Sequence, residues 1–214
     1  MQNSSKPERL IFLLLVPFYC IGILLHSIEA TLPLMLLFTP YTIAATSILG
    51  FAFEIKARNR NLLIWAVVTL LVTLCLEIVG VATSLVFGAY TYGQTLGLKL
   101  LGVPLLIGIN WTIIIMGIAQ VAVRVLEKPL LAAFATAIFT VVFDYVMEPV
   151  AIAFDYWTWA EGDIPLQNYI AWFCIAFVFA LLFAQHKLTT TNKVPTLIVG
   201  IQFVFFTGLR VFAL

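Results

Sequence analysis

Seven runs of about twenty predominantly apolar residues recur along the chain, at 10–28, 32–53, 62–87, 103–125, 129–147, 168–185 and 194–213. Each is long enough to cross a hydrocarbon layer about 30 Å thick as one α-helix. In lipid every backbone N–H and C=O must find its partner inside the structure, and helices achieve this segment by segment. The chain therefore reads as all-α, a polytopic membrane protein of about seven transmembrane helices forming a single integral membrane domain over 1–214. With 63% hydrophobic and 10% charged residues, it has too few polar side chains to cover a water-facing surface. The first run follows Lys6 and Arg9 as a signal peptide would. It continues to Ile28 without a small-x-small cleavage site, and so reads as a retained first span.

Basic residues set the expected orientation. Lys6 and Arg9 precede the first run, Lys56, Arg58 and Arg60 lie between the second and third, Arg124 and Lys128 between the fourth and fifth, and Lys187 and Lys193 between the sixth and seventh. Only Lys99 and Arg210 fall on the other side. The positive-inside rule then puts the N-terminus in the cytoplasm and the C-terminus outside the cell (inner) membrane.

Several function classes fall away. A net charge of +1 without a basic cluster gives no footprint for nucleic acid. Cys20, Cys75 and Cys174 are scattered through apolar runs and form no disulfide or metal pattern. His26 and His186 stand about a membrane apart and cannot share a metal, and no nucleotide-binding motif is present. Seven helices suggest an opsin, but the last run has no lysine for a retinal Schiff base. Neither a metal nor a cofactor is expected.

An internal repeat draws attention to the acids. Glu77 stands ten positions before Phe87, and Asp144 ten before Phe154. "FGAYTYG" (87–93) then parallels "FDYWTWA" (154–160), and "GVPLLIGINW" (102–111) parallels "DIPLQNYIAW" (163–172). Helices three and four thus read as a parallel copy of helices five and six, an arrangement known in membrane folds. It predicts Glu77 and Asp144 at equivalent depths across a pseudo-symmetric cavity. An acid at mid-helix costs about 2.5–3.5 kcal/mol on insertion scales, which marks Glu77, Asp144 and the neighbouring Glu148 as functional candidates.

Other features have blander readings. Trp65 and Trp172 near helix ends read as interface anchors. Glu161 and Asp163 read as loop acids, and Glu54 as a surface charge pair with Lys56 and Arg58. Pro149 disfavours helix at Glu148 and would free backbone carbonyls.

A carboxyl held in apolar surroundings can act as a general acid, and aromatic faces stabilise a cation in a dry pocket. Together they suit protonation of an alkene that reaches the protein through the lipid. Intramembrane acids in a parallel repeat equally describe a proton-coupled small-molecule carrier. The residues alone leave both open.

The motifs "EIVGVAT" (77–83), "FGAYTYG", "GVPLLIGINW", "DYVMEP" (144–149), "DYWTW" (155–159) and "GDIPLQNYIAWF" (162–173) resemble the membrane carotenoid-biosynthesis proteins. That family includes the carotenoid 1,2-hydratases of acyclic end groups, and the similarity covers about residues 75–175. The resemblance implies a cofactor-independent hydratase (a hydro-lyase) acting in the bilayer on a lycopene-like or gamma-carotene-like polyene, with water as co-substrate. It would protonate the terminal double bond and add water to give a tertiary alcohol. Its acidic positions fall on Glu77, Asp144 and Glu148, with Asp144 or Glu148 as the proton donor and Glu77 handling the water. Tyr90, Tyr92, Tyr156, Trp157 and Trp159 would line the cation pocket and Asn110 would position water. Trp111, Asn168 and Trp172 complete the expected substrate contacts. Asp155 joins them as a departure, since the family commonly has glycine there. A membrane lycopene cyclase, which begins with the same protonation, is the nearest alternative.

Overall fold

The computed structural model describes residues 6–214, and the elements follow the apolar runs. Seven helices, α1 Lys6–His26, α2 Leu32–Lys56, α3 Arg60–Thr83, α4 Leu105–Val125, α5 Pro129–Ala153, α6 Leu166–Gln185 and α7 Val194–Phe212, carry the chain back and forth. All seven are long and apolar enough to span a bilayer, so this is an integral membrane protein. The strands are short: β1 Tyr90–Tyr92 pairs with β4 Trp157–Trp159, and β2 Lys99–Leu100 with β3 Val103–Pro104, all antiparallel. These ladders, absent from the all-helical expectation, lie in the α3–α4 and α5–α6 connections.

Proline punctuates the helix starts. α2, α5 and α7 each have proline in the first two positions, where its missing N–H costs nothing. Pro104 and Pro165, the prolines of the two parallel motifs, occupy extended backbone immediately before α4 and α6.

The bundle is built around α4. It is the most buried span, whereas α1 and α2 are the least. A run from Ile113 to Met116 is wholly enclosed. Large apolar side chains such as Leu13, Leu37, Val67 and Phe139 face outward, as lipid contact requires. Gly108 lets α3 and α4 approach closely, because a Cβ there would meet the Leu70 carbonyl oxygen at 2.9 Å. Buried hydroxyls on the helices are satisfied locally: those of Thr69, Thr73, Thr112, Thr136 and Thr140 donate to carbonyls one turn back.

Three sequence expectations need correction. α5 does not break at Glu148 but runs through Pro149 to Ala153. Proline there removes the donor to the Tyr145 carbonyl four residues back. Arg210 of α7 supplies a replacement, its Nη1 donating to that oxygen at 3.2 Å while the guanidinium lies 5.1 Å from the centre of the Tyr145 ring. Trp65 is not an interface anchor: it is 7% exposed and its indole N–H donates to the Phe179 carbonyl at 3.0 Å. Glu54 is not a surface charge. It is fully buried and accepts from Asn59 Nδ2 (2.8 Å), the Thr191 backbone N–H (2.8 Å), Thr191 Oγ1 (2.9 Å) and Asn192 Nδ2 (3.0 Å). It thereby ties the end of α2 to the α6–α7 connection.

Candidate functional site

Two helices bring three acids to one place. Asp144 and Glu148 are four residues apart on α5, so they share a helix face, and Glu77 comes from α3. All three line a single small cavity with Phe87, Tyr90, Tyr92, Ile107, Trp111, Trp157, Trp159, Asn168 and Trp172. Its volume is about 20 Å³, the scale of one water. Glu77, Asp144 and Glu148 are 3%, 0% and 1% exposed, and no basic side chain lines the cavity. A pocket this dry cannot hold the full charge of three carboxylates without a cation, so part of the set carries protons.

The hydrogen bonds divide the acids by partner. Glu77 Oε2 accepts from both tyrosines of β1: Tyr90 forms a short bond, and the Tyr92 hydroxyl lies at 2.7 Å. Glu148 Oε2 accepts from both tryptophans of β4, Trp157 Nε1 at 2.9 Å and Trp159 Nε1 at 3.0 Å. Alternation along each strand turns residues one and three the same way, which is why a Tyr-Thr-Tyr or Trp-Thr-Trp triplet delivers two donors to one carboxylate. The β1–β4 register is symmetric about Thr91 and Thr158, so Tyr90 stands opposite Trp159 and Tyr92 opposite Trp157.

The acid that each strand serves is not the one the motif spacing equates. Glu77 and Asp144 occupy matching positions, but Trp157 and Trp159 turn to Glu148, one turn further along α5. Asp144 is left with Asn168, whose Nδ2 donates to Asp144 Oδ2 (2.8 Å) and Glu148 Oε1 (3.1 Å). Asp144 Oδ1 is buried with no hydrogen-bond partner.

The aromatic wall is continuous. Trp172 stacks on Trp111 with ring centres 3.7 Å apart and on Phe87 at 5.2 Å. Trp172, 3% exposed, is therefore a wall of the pocket and not an interface anchor. Tyr90 and Trp159 lie 5.0 Å apart across the ladder. Burial, reinforced by the adjacent Glu77 charge, pushes the hydroxyls of Tyr90 and Tyr92 up from the ordinary phenol range, so both remain O–H donors.

Three expected contacts lie elsewhere. Asp155 is exposed and closes a turn, with φ at +56° and its Oδ2 accepting the Gln94 N–H at 2.8 Å. Left-handed backbone explains why glycine suits this position and why aspartate is tolerated in its place. Gly93 packs against it so closely that a Cβ would lie 2.1 Å from the Asp155 carbonyl oxygen. Tyr156, its hydroxyl pushed up to about 12 by burial, and Asn110 both face neighbouring cavities instead. Two wall residues, Phe87 and Ile107, were not among the expected contacts. Phe87 opens the "FGAYTYG" motif and Ile107 lies within "GVPLLIGINW", so both could have been found from the motifs already singled out. Among the described residues, no group of three or more His, Cys, Asp or Glu side chains is placed to hold a metal ion.

The comparisons with known proteins agree on one lineage. Bisanhydrobacterioruberin hydratase of Haloarcula japonica is 29% identical over 177 residues, covering 75% of this chain and 59% of the relative. The chain thus spans about three fifths of that protein's length. No solved structure matches. A family model described as carotenoid biosynthesis protein matches residues 33–214, which takes in the whole acid pocket, and the chain belongs to that family.

Proposed function

We propose that the protein is a carotenoid 1,2-hydratase, a lyase that adds water across the terminal double bond of an acyclic carotenoid end group. The observation that carries this reading is the convergence of three buried carboxyls, without a counter-charge, inside an aromatic wall. The family and the hydratase named above support the same class of chemistry.

Asp144 is the proton donor, because its Oδ1 has no protein partner and is free to hold a proton toward the substrate. Its proton adds to the less substituted alkene carbon and leaves a tertiary cation on the other. The faces of Trp111, Trp172, Trp157 and Trp159 stabilise that cation, each well-placed desolvated contact contributing about 2 kcal/mol. Water attacks the cation and gives up a proton to Glu77, held by its two tyrosines. Asn168 spans Asp144 and Glu148 and fixes the donor. A proton then returns to Asp144, so the balance is alkene plus water to tertiary alcohol, and no external cofactor enters it.

A cavity of one water's size favours hydration over ring closure, which needs water kept out. The buried threonines one turn below the acids, Thr73 and Thr140, are bonded to their own helices and offer no relay toward the other face. That favours an enzyme over a proton-coupled carrier. A polyene end group is larger than the cavity, so its entry must displace the β1–β4 ladder or the stacked tryptophans. With the N-terminus in the cytoplasm, the acids lie toward the outer leaflet of the cell membrane.

The test is pigment mass in a lycopene-accumulating bacterial host, with gamma-carotene as a second substrate. A gain of one or two waters with the wild-type chain, lost with Asp144→Asn, is expected. Unchanged mass with a shifted absorption spectrum would indicate cyclisation, and no change on either substrate would refute the reading.

A further inference from the structure

A second cavity of about 390 Å³ lies between α1, α2, α7 and the outer part of α4. Its wall is largely apolar, with Phe18, Phe38 and Phe205 among its aromatic members. Tyr19, Thr39, Thr42 and Tyr156 bring hydroxyls to it, and three further polar side chains, His26, Asn110 and Gln202, are 8%, 7% and 4% exposed. In each, one buried atom has no hydrogen-bond partner: His26 Nε2, Asn110 Oδ1 and Gln202 Oε1. Among the described residues, the one other such side-chain atom is Asp144 Oδ1.

The three atoms are of one chemical kind. His26 Nδ1 lies 2.7 Å from the Gly22 carbonyl oxygen, so Nδ1 carries the ring proton and Nε2 of the neutral ring is an acceptor. The two amide oxygens are acceptors as well. Native interiors rarely leave acceptors unmet, and a pocket that gathers them in an apolar wall suits a ligand with an O–H donor on a hydrocarbon body. Water alone would meet the acceptors but leave the aromatic wall unfilled.

We propose that this cavity binds the hydroxyl-bearing end of an isoprenoid chain, a tertiary alcohol of the kind that alkene hydration yields. The choice of alcohol rests on the proposed reaction, whereas the demand for a donor rests on the geometry. A narrow cavity of about 20 Å³ lies between the two sites, sharing Asn110, Tyr156 and Phe206 with the large one and Ile107 and Trp157 with the acid pocket. An alcohol formed at Asp144 would move past Trp157 and donate its single O–H within this group of acceptors. That removes it from the carboxyl that could protonate its oxygen and reverse the addition.

The experiment uses the full chain in lipid nanodiscs and two probes, dihydromyrcenol and its parent alkene dihydromyrcene, with tryptophan fluorescence reporting binding. The wild type should bind the alcohol about tenfold more tightly than the alkene, the effect of about one net hydrogen bond. Gln202→Leu should abolish that preference while retaining alkene binding, which shows that the variant is folded. His26→Phe, close in shape, should reduce the preference independently. Equal affinity for both probes in the wild type, or a preference that survives both substitutions, would overturn the proposal. Binding needs no turnover, so a chain that prefers the alcohol yet hydrates no carotenoid would sink the reaction and keep this site. A chain that hydrates without the preference would do the reverse.

Discussion

Two buried acid sites occupy opposite ends of the bundle, and they differ in how completely they are answered. Glu54 receives four donors from Asn59, Thr191 and Asn192, one of them a backbone N–H. At the other end, Asp144 receives one donor, from Asn168, and its second oxygen has none. Both side chains are fully buried, so burial does not distinguish them. A carboxylate surrounded by fixed donors is a clasp, since moving it would strand every group that points at it. A carboxyl with an idle oxygen in an aromatic pocket is free to exchange a proton with something else.

The comparison is broken most sharply by Asp144→Asn. Activity in the carotenoid assay should fall by about 10²–10⁴-fold, the usual worth of a positioned general acid, with thermal unfolding close to wild type. If the unfolding temperature collapses instead, Asp144 is a clasp too. Glu54→Leu should show the opposite pattern. It strands several buried donors and should cost about 3 kcal/mol of stability, with turnover per folded molecule unchanged, as read by unfolding and activity on the same preparation. Replacing Trp157 and Trp159 together by Phe keeps the rings but removes both N–H donors from Glu148. Activity should drop about tenfold to a hundredfold, whereas Tyr145→Phe, outside the pocket, should leave it alone. Arg210→Met should have the smallest effect, about 1 kcal/mol of stability from the Tyr145 carbonyl left open by Pro149.

Much of the bundle was legible because hydropathy acts locally: the apolar runs gave seven spans with ends a few residues off. Glu77, Asp144 and Glu148 stood out because an acid amid lipid-length apolar sequence has few other uses. Long-range partners were hidden. Glu54 sits two and four residues from Lys56 and Arg58 and looked like their surface partner, yet its donors include residues more than 130 positions away. Trp172 carried two expectations, an anchor from its place near a helix start and a substrate contact from the motif, and its packing against Trp111 and Phe87 makes it a pocket wall. The acid serving β4 could not be inferred from spacing, because a shift of one turn along α5 preserves the face. The donor that meets the Tyr145 carbonyl left open by Pro149 is Arg210 of another helix, which no local propensity contains. The acceptor-lined cavity was the least visible, since it is defined by three side chains from α1, α4 and α7 that do not bond to one another.

The β1–β4 ladder has a mechanical consequence. The hydroxyls that hold Glu77 ride on one strand and the indoles that hold Glu148 on the other, and the strands are bonded to each other. A polyene end that pushed the strands aside would unfasten both carboxylates in the same movement. The ladder would then work as a crossbar latch, closed over a cavity of about 20 Å³ and released at both ends together.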